Sequence, residues 1–159
     1  MQDSPRPTAP SPLMRALHVY WRFARPMTLG VRAALLHPER GVFLVRHTYV
    51  GGWHMPGGGV EPGESVLASL RREVEEEGNI VIEDVPSLHG LFFNARVSRR
   101  DHVAVYVSRQ FTQTAPRIPD REIAESGFFP VEDLPPETTP ATRRRLAEIV
   151  AGAPPAEHW

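Results

Sequence analysis

The sequence predicts an α/β fold, a mixed β-sheet with helices on its faces, from three features. Apolar and β-branched runs of strand length alternate with stretches of helical periodicity. A chain of 159 residues with 41% hydrophobic content has the apolar mass of a single domain. No internal repeat breaks that order.

Taken along the chain, residues 1–12 carry Pro5, Pro7, Pro10 and Pro12 among small polar residues and read as a flexible tail. Residues 13–26 read as an amphipathic helix. Leu13, Leu17, Tyr20 and Ala24 fall at helical spacing, while Arg15, His18, Arg22 and Arg25 form a basic side that reads first as a solvated face. Residues 27–152 read as the domain proper, and 153–159 as a C-terminal tail. Within the domain, Leu29 to Leu36 and Gly41 to His47 read as paired strands across the turn His37-Pro38-Glu39-Arg40. A central helix rich in Glu follows. Leu88 to Val97 and His102 to Phe111 then read as a hairpin about Arg99-Arg100-Asp101. Thr139-Pro140 opens a final helix with Leu146, Ile149 and Val150 turned to the core.

Bulk chemistry excludes several function classes. A formal charge of -1 gives no general attraction to nucleic acid or to an anionic membrane. Cys is absent, which removes thiolate nucleophiles, thiolate metal sites and disulfides together. There is neither the pattern of a signal peptide nor an apolar run of membrane-spanning length, so a cytoplasmic protein is expected.

The segment from Pro56 to Ile80, PGGGVEPGESVLASLRREVEEEGNI, sets a glycine-rich loop before a helix dense in carboxylates, and from Glu61 to Glu77 it carries six Glu (61, 64, 73, 75, 76 and 77) against only Arg71 and Arg72. At about 100° per residue, Glu73, Glu76 and Glu77 share one arc, and Glu73 and Glu77 lie at the margin of the apolar stripe Val66, Leu67, Leu70 and Val74. Carboxylates crowded at a core margin either raise one another's pKa or hold a cation. Hard oxygen donors without Cys or a His cluster favour Mg²⁺, Mn²⁺ or Ca²⁺ over zinc, with Mg²⁺ the first choice and Mn²⁺ its substitute. Against this stands a solvated acidic helix paired through Arg71 with Glu75 and Arg72 with Glu76, which accounts for Glu75 and leaves Glu73 and Glu77 unexplained. Gly57, Gly58 and Gly59 let the backbone approach a phosphate or a metal closely.

Read as Gly58, Glu64, Arg72-Glu73, Val74, Glu75, Glu76-Glu77, Gly78, Asn79 and Ile80, the segment resembles the Nudix box. The departure is Asn79 where the family has Gly, and Asn is the next most tolerant residue of the left-handed conformation. Trp53-His54-Met55-Pro56 and Phe128-Phe129-Pro130-Val131-Glu132-Asp133-Leu134-Pro135 also look like the family, so the resemblance extends over about residues 28–150. It implies an α/β/α sandwich with a mixed sheet and a catalytic loop-helix-loop. It further implies hydrolysis, by metal-activated water, of a nucleoside diphosphate linked to another group. By position, Glu73, Glu76, Glu77 and the Gly57 carbonyl look like metal ligands, supported by Gly58, Glu64 and Arg72. Glu122 lies where relatives often carry an active-site acid, with Glu125 in reserve, and each also reads as a plain loop carboxylate. Arg46 and His47 resemble a phosphate contact of some relatives and read equally as structural residues. Arg99 and Arg100 read first as solubilising, and Trp53 as packing, with Tyr49 open to stacking on a base.

The resemblance leaves the substrate open among ADP-ribose, nucleotide sugars, dinucleoside polyphosphates and nucleoside triphosphates. RNA 5′-end pyrophosphohydrolysis is encouraged by the basic helix and opposed by the overall charge. The related isomerase chemistry lacks its Cys. A nucleotide-binding sensor would have lost box carboxylates, and Glu64, Glu73, Glu76 and Glu77 are all present. A homodimer is compatible with the amphipathic helix, which alone does not establish one.

Overall fold

The computed structural model describes residues 26–159 together with Met14, Leu17, Val19 and Tyr20. Those four isolated positions are helical, with Val19 and Tyr20 exposed. The rest of the expected N-terminal helix, its basic side included, and the Pro-rich tail lie outside the described residues. The elements are β1 (Thr28–His37), β2 (Gly41–His47), β3 (Trp53–His54), α1 (Val66–Gly78), β4 (Ile80–Ile82), β5 (Ser87–Phe93), β6 (Asp101–Ser108), β7 (Phe111–Gln113), β8 (Ile123–Phe129) and α2 (Pro140–Ala151). Among the described residues no helix is long and apolar enough to cross a membrane.

The main sheet runs β3-β2-β1-β6-β5, with β8 also paired to β2; β4 and β7 form a separate two-stranded ribbon. It is mixed: β1 lies parallel to β6, and the other pairs are antiparallel. β1 sits at the centre with Val31, Ala33, Ala34 and Leu35 all buried, the near-continuous apolar run of a strand covered on both faces. Successive residues feed opposite cores. Val31, Ala33 and Leu35 pack with Phe43, Leu70 and Val74 under α1. Ala34 and Leu36 pack with Leu44, Phe92, Val105 and Leu146 under α2. Two helices on opposite faces of a mixed sheet make the expected α/β/α sandwich.

One local feature places the chemistry. β1 and β2 pair only at their hairpin end, through Leu36 with Val42 and His37 with Gly41. Beyond it the glycine loop enters beside β1: Val31 N–H donates to the Gly58 carbonyl (2.8 Å), Ala33 N–H to that of Pro56 (2.9 Å) and Val60 N–H to that of Leu29 (2.9 Å). The loop is thereby stitched into the middle of the fold as if it were a short strand.

The boundaries of the later hairpin differ from expectation. β5 stops at Phe93 because the Asn94 carbonyl accepts from the Val97 and Ser98 N–H groups, and residues 94–100 turn. β6 stops at Ser108, where Asp84 accepts from the Ser108 hydroxyl and the Arg109 and Gln110 N–H groups. In α2, Leu146 is buried and Ile149 packs on the core, whereas Val150 is 61% exposed. Residues 153–159 do not run free in the structure: Phe93 N–H donates to the Glu157 carbonyl, Trp159 N–H to that of Phe93, and the Trp159 ring packs against Phe92.

Candidate active site

α1 starts at Ser65, whose hydroxyl accepts from the Ala68 N–H, and ends at Asn79, left-handed at φ 52° and ψ 38°. Asn79 therefore adopts the conformation expected of it. Gly78 before it is required for another reason, since a Cβ there would lie 2.8 Å from the Phe43 ring.

Along the helix the three carboxylates differ in setting. Glu77 is buried, Glu73 half-buried and Glu76 exposed. Glu77 Oε2 accepts from the Gly57 N–H at 2.8 Å, and its Oε1 lies 3.4 Å from His47 Nε2. Burial pushes the Glu77 carboxyl up to about 7; the Gly57 N–H and Arg32 oppose this, and Glu73 and Glu122 add to it. Burial likewise brings His47 down to about 4, helped by Arg32 and His54. With the imidazole neutral, its 3.4 Å approach to Glu77 is not an ion pair.

Arg72 organises the remaining acids. Its Nε and Nη2 grip Glu64 side-on at 3.0 and 3.1 Å, and its Nη1 reaches Glu73 at 2.6 Å and Glu76 at 3.3 Å. That grip holds the Glu64 carboxyl down to about 2. The expected Arg72–Glu76 pair is thus present as one arm of a larger network, while Arg71 instead reaches the Asp84 carbonyl. The glycines are explained by contact. Gly57 has φ +144° and a Cβ there would overlap the Val31 carbonyl; at Gly58 a Cβ would lie 2.5 Å from the Glu73 carboxylate.

Among the described residues no three His, Asp or Glu side chains converge into a ready-made metal cage. Glu73 and Glu76 turn to Arg72, and Glu77 to the Gly57 N–H. The donor types nonetheless suit a hard divalent cation, because three carboxylates without any Cys lie along the same stretch of α1 beside the glycine loop.

The other predicted residues divide. Glu122 is exposed on the loop before β8, close enough to Glu77 to raise its pKa. Arg117 fixes that loop: its Nε donates to the Glu76 carbonyl at 2.9 Å and its Nη2 pairs with Asp120, whose Oδ1 accepts from the Glu122 and Ile123 N–H groups at 2.9 and 2.8 Å. Glu125 is taken up by Arg46, which also lies 3.6 Å from Glu137 and 6.0 Å from the Trp53 ring centre. His47 is buried behind Glu77 rather than offered to solvent. Trp53 packs edge-on against Phe129, as expected, and Tyr49 is 74% exposed.

Sequence reasoning passed over Arg32. Its Nη1 donates to the carbonyls of Gly57 at 2.6 Å and Met55 at 3.1 Å, and it is the main cation facing Glu77. The signal was available, since Arg32 interrupts the apolar run of a central strand, where an unpaired charge is costly.

Comparison with known proteins identifies the family and fold. A family model described as NUDIX domain matches residues 26–149. Among solved structures, a MutT NUDIX hydrolase from Burkholderia pseudomallei is 28% identical with a TM-score of 0.66, covering 77% of this chain and 97% of that one. An ADP-ribose pyrophosphatase from Streptococcus suis is 25% identical with a TM-score of 0.60, covering 83% and 95%. A UDP-X diphosphatase, 21% identical with a TM-score of 0.58 over 87% of this chain and 71% of that one, shares the fold. A search of curated proteins gave no match.

Proposed function

Because this chain belongs to the NUDIX domain family, we propose that it is a divalent-metal-dependent hydrolase of a phosphoanhydride bond in a small nucleotide, of the kind exemplified by nucleoside diphosphates linked to a second group. The observation that carries this reading is the docking of the glycine loop onto the acidic face of α1, with the Gly57 N–H on Glu77 and the open side of Gly58 against Glu73. Mg²⁺ is the first choice of ion and Mn²⁺ its substitute. Glu73, Glu76, Glu77 and the Gly57 carbonyl would hold it.

When bound, a divalent ion lowers the pKa of water and neutralises charge on the bridging oxygens. The chain's own residues do the rest. Arg72, anchored by Glu64, keeps Glu73 and Glu76 on one side of the helix. The Gly57 N–H fixes one oxygen of Glu77 and His47 limits movement of the other. Glu122 faces the same region from the opposite loop and is proposed to take the proton of the attacking water, with Arg117 and Asp120 holding it in place. Arg46, with its side chain 35% exposed, is proposed to exchange its carboxylate partners for a substrate phosphate. His47 is better read as ordering Glu77.

The test is a hydrolysis screen of nucleotide sugars, ADP-ribose, dinucleoside polyphosphates and nucleoside triphosphates with Mg²⁺, with product identification. Turnover should require the metal and fall at least about a hundredfold in Glu76→Gln, the scale expected for removing a ligand that acts on the transition state. Nucleotide binding without metal-dependent turnover of any compound would overturn the hydrolase in favour of a sensor.

A further inference from the structure

The loop between β2 and β3 is fixed at both ends and presents an aromatic ring between them. At one end the Thr48 N–H donates to the Glu122 carbonyl at 2.9 Å and the Thr48 hydroxyl to that of Arg121 at 2.6 Å, which ties the loop to the segment carrying Glu122. At the other end Gly52 has φ +89°, and a Cβ there would lie 2.7 Å from the Glu137 carbonyl oxygen, which also accepts from the Trp53 N–H at 3.1 Å. Tyr49, Val50 and Gly51 span the gap and are all exposed, Tyr49 by 74%.

The Tyr49 ring is supported from one side. Its neighbour there is the buried His47 imidazole, with ring centres 5.1 Å apart and planes tilted by 37°. His47 in turn lies against Glu77, and the Tyr49 phenol is within electrostatic reach of Glu77, Arg32, Glu122 and Glu73, which sets the ring at the margin of the carboxylate site. The same ring lines a cavity of about 410 Å³ together with Arg46, Thr48, Ala124 and Glu137, a volume within the range of small-ligand sites. Glu137 is the only acid in that wall, and it stands 3.6 Å from Arg46 Nη1. An aromatic ring backed by a second ring, open to solvent in front and beside a guanidinium has the build of a surface on which a flat group stacks while an attached phosphate meets the cation.

We propose that Tyr49 is the stacking platform for the planar base of the nucleotide, held in this cavity with a phosphate on Arg46. The inference rests on the reading of the site as a nucleotide site, and it places the base within that site. Stacking engages the face that every base shares, so the ligand class is a nucleotide with a flat ring and no particular base edge is selected. Because Thr48 joins the loop to the Glu122 segment, the residue that holds the base is tied through its neighbour to the segment that carries the proposed proton acceptor.

The deciding measurement is calorimetric binding of AMP, GMP, UMP, CMP and the ring-free control ribose 5-phosphate to the whole protein with magnesium present, repeated with Tyr49→Phe and Tyr49→Ala. Tyr49 is exposed, so both variants should fold. At least one nucleotide should bind native protein about tenfold or more tighter than ribose 5-phosphate. Tyr49→Ala should weaken that nucleotide about tenfold, at the lower end of what removing a stacking ring costs, and leave ribose 5-phosphate within about twofold. Tyr49→Phe keeps the ring and should stay within about twofold of native for every ligand. Unchanged nucleotide binding in Tyr49→Ala overturns the proposal, as does an equal loss for ribose 5-phosphate or an equal loss in Tyr49→Phe. Each of these results leaves the hydrolase reading intact. If no nucleotide binds the native protein at all, the nucleotide reading falls and the proposal with it.

Discussion

Gly57 and Gly58 are adjacent in sequence and required for different reasons, which makes them separable by substitution. At Gly57 the backbone has φ +144° and a Cβ would overlap the Val31 carbonyl, an obstacle made of main chain that cannot step aside. Gly57→Ala should therefore destabilise the fold by about 3 kcal/mol or more, readable as a lowered denaturation midpoint. At Gly58 the obstacle is the Glu73 carboxylate, the far end of a flexible side chain. Gly58→Ala should leave stability within about 1 kcal/mol of native, since the carboxylate can swing toward solvent. Its hydrolysis rate should nevertheless fall at least about tenfold, because Glu73 no longer lies where the site needs it. Equal losses of stability in the two variants would contradict this division.

The loop from Arg117 to Ile123 acts as a small unit built around Asp120. Its carboxylate accepts from the Glu122 and Ile123 N–H groups and pairs with Arg117, which itself binds the last turn of α1 through the Glu76 carbonyl. The Ile123 and Glu122 N–H groups, then Arg117, bring the Asp120 carboxyl down to about 2. A group whose folded pKa is depressed supports the fold above its unfolded value and loses that contribution as pH falls through the folded one. The anchoring should thus be complete above about pH 4, the ordinary Asp range, and lost on approach to about pH 2. Amide chemical shifts of Glu122 and Ile123 should titrate with that low midpoint, and Asp120→Asn should abolish the titration. A midpoint in the ordinary Asp range would show that the loop is not held this way.

At the scale of the whole molecule, one buried cation joins parts distant in sequence. Arg145 of α2, almost fully enclosed, donates to Glu148 at 2.6 Å and to the His158 carbonyl at 2.7 Å, and lies 4.3 Å from the Phe92 ring centre. Glu148 also meets His89 of β5 at 3.0 Å and accepts from the Ala156 N–H at 3.3 Å. Burial alone would raise the Glu148 carboxyl, but His89 and Arg145 bring it below its ordinary value. Helix, edge strand and terminal segment therefore share one charge network, the segment that carries Trp159 among them. Arg145→Ala should cost about 3 kcal/mol, because it leaves a largely enclosed carboxylate with only His89 as a cationic partner. Tryptophan fluorescence should report loosening of Trp159 in the same variant. A change below about 1 kcal/mol would mean the network is not the fastening it resembles.

What the sequence by itself determined was periodic and local. The strand runs, the acidic helix, the tolerated turn at Asn79 and the spacing of Glu64, Arg72, Glu73, Glu76 and Glu77 are all set by neighbours within a few turns of chain, and so could be read without coordinates. What only the tertiary structure decided depends on contacts between distant segments. It showed Glu125 captured by Arg46, 79 residues away in sequence, and His47 turned inward to Glu77. It gave Arg32 its place between the glycine loop and a cavity closed by Trp159. No periodicity encodes such meetings, because they follow from which strands lie side by side once apolar surface is buried on both faces of the sheet.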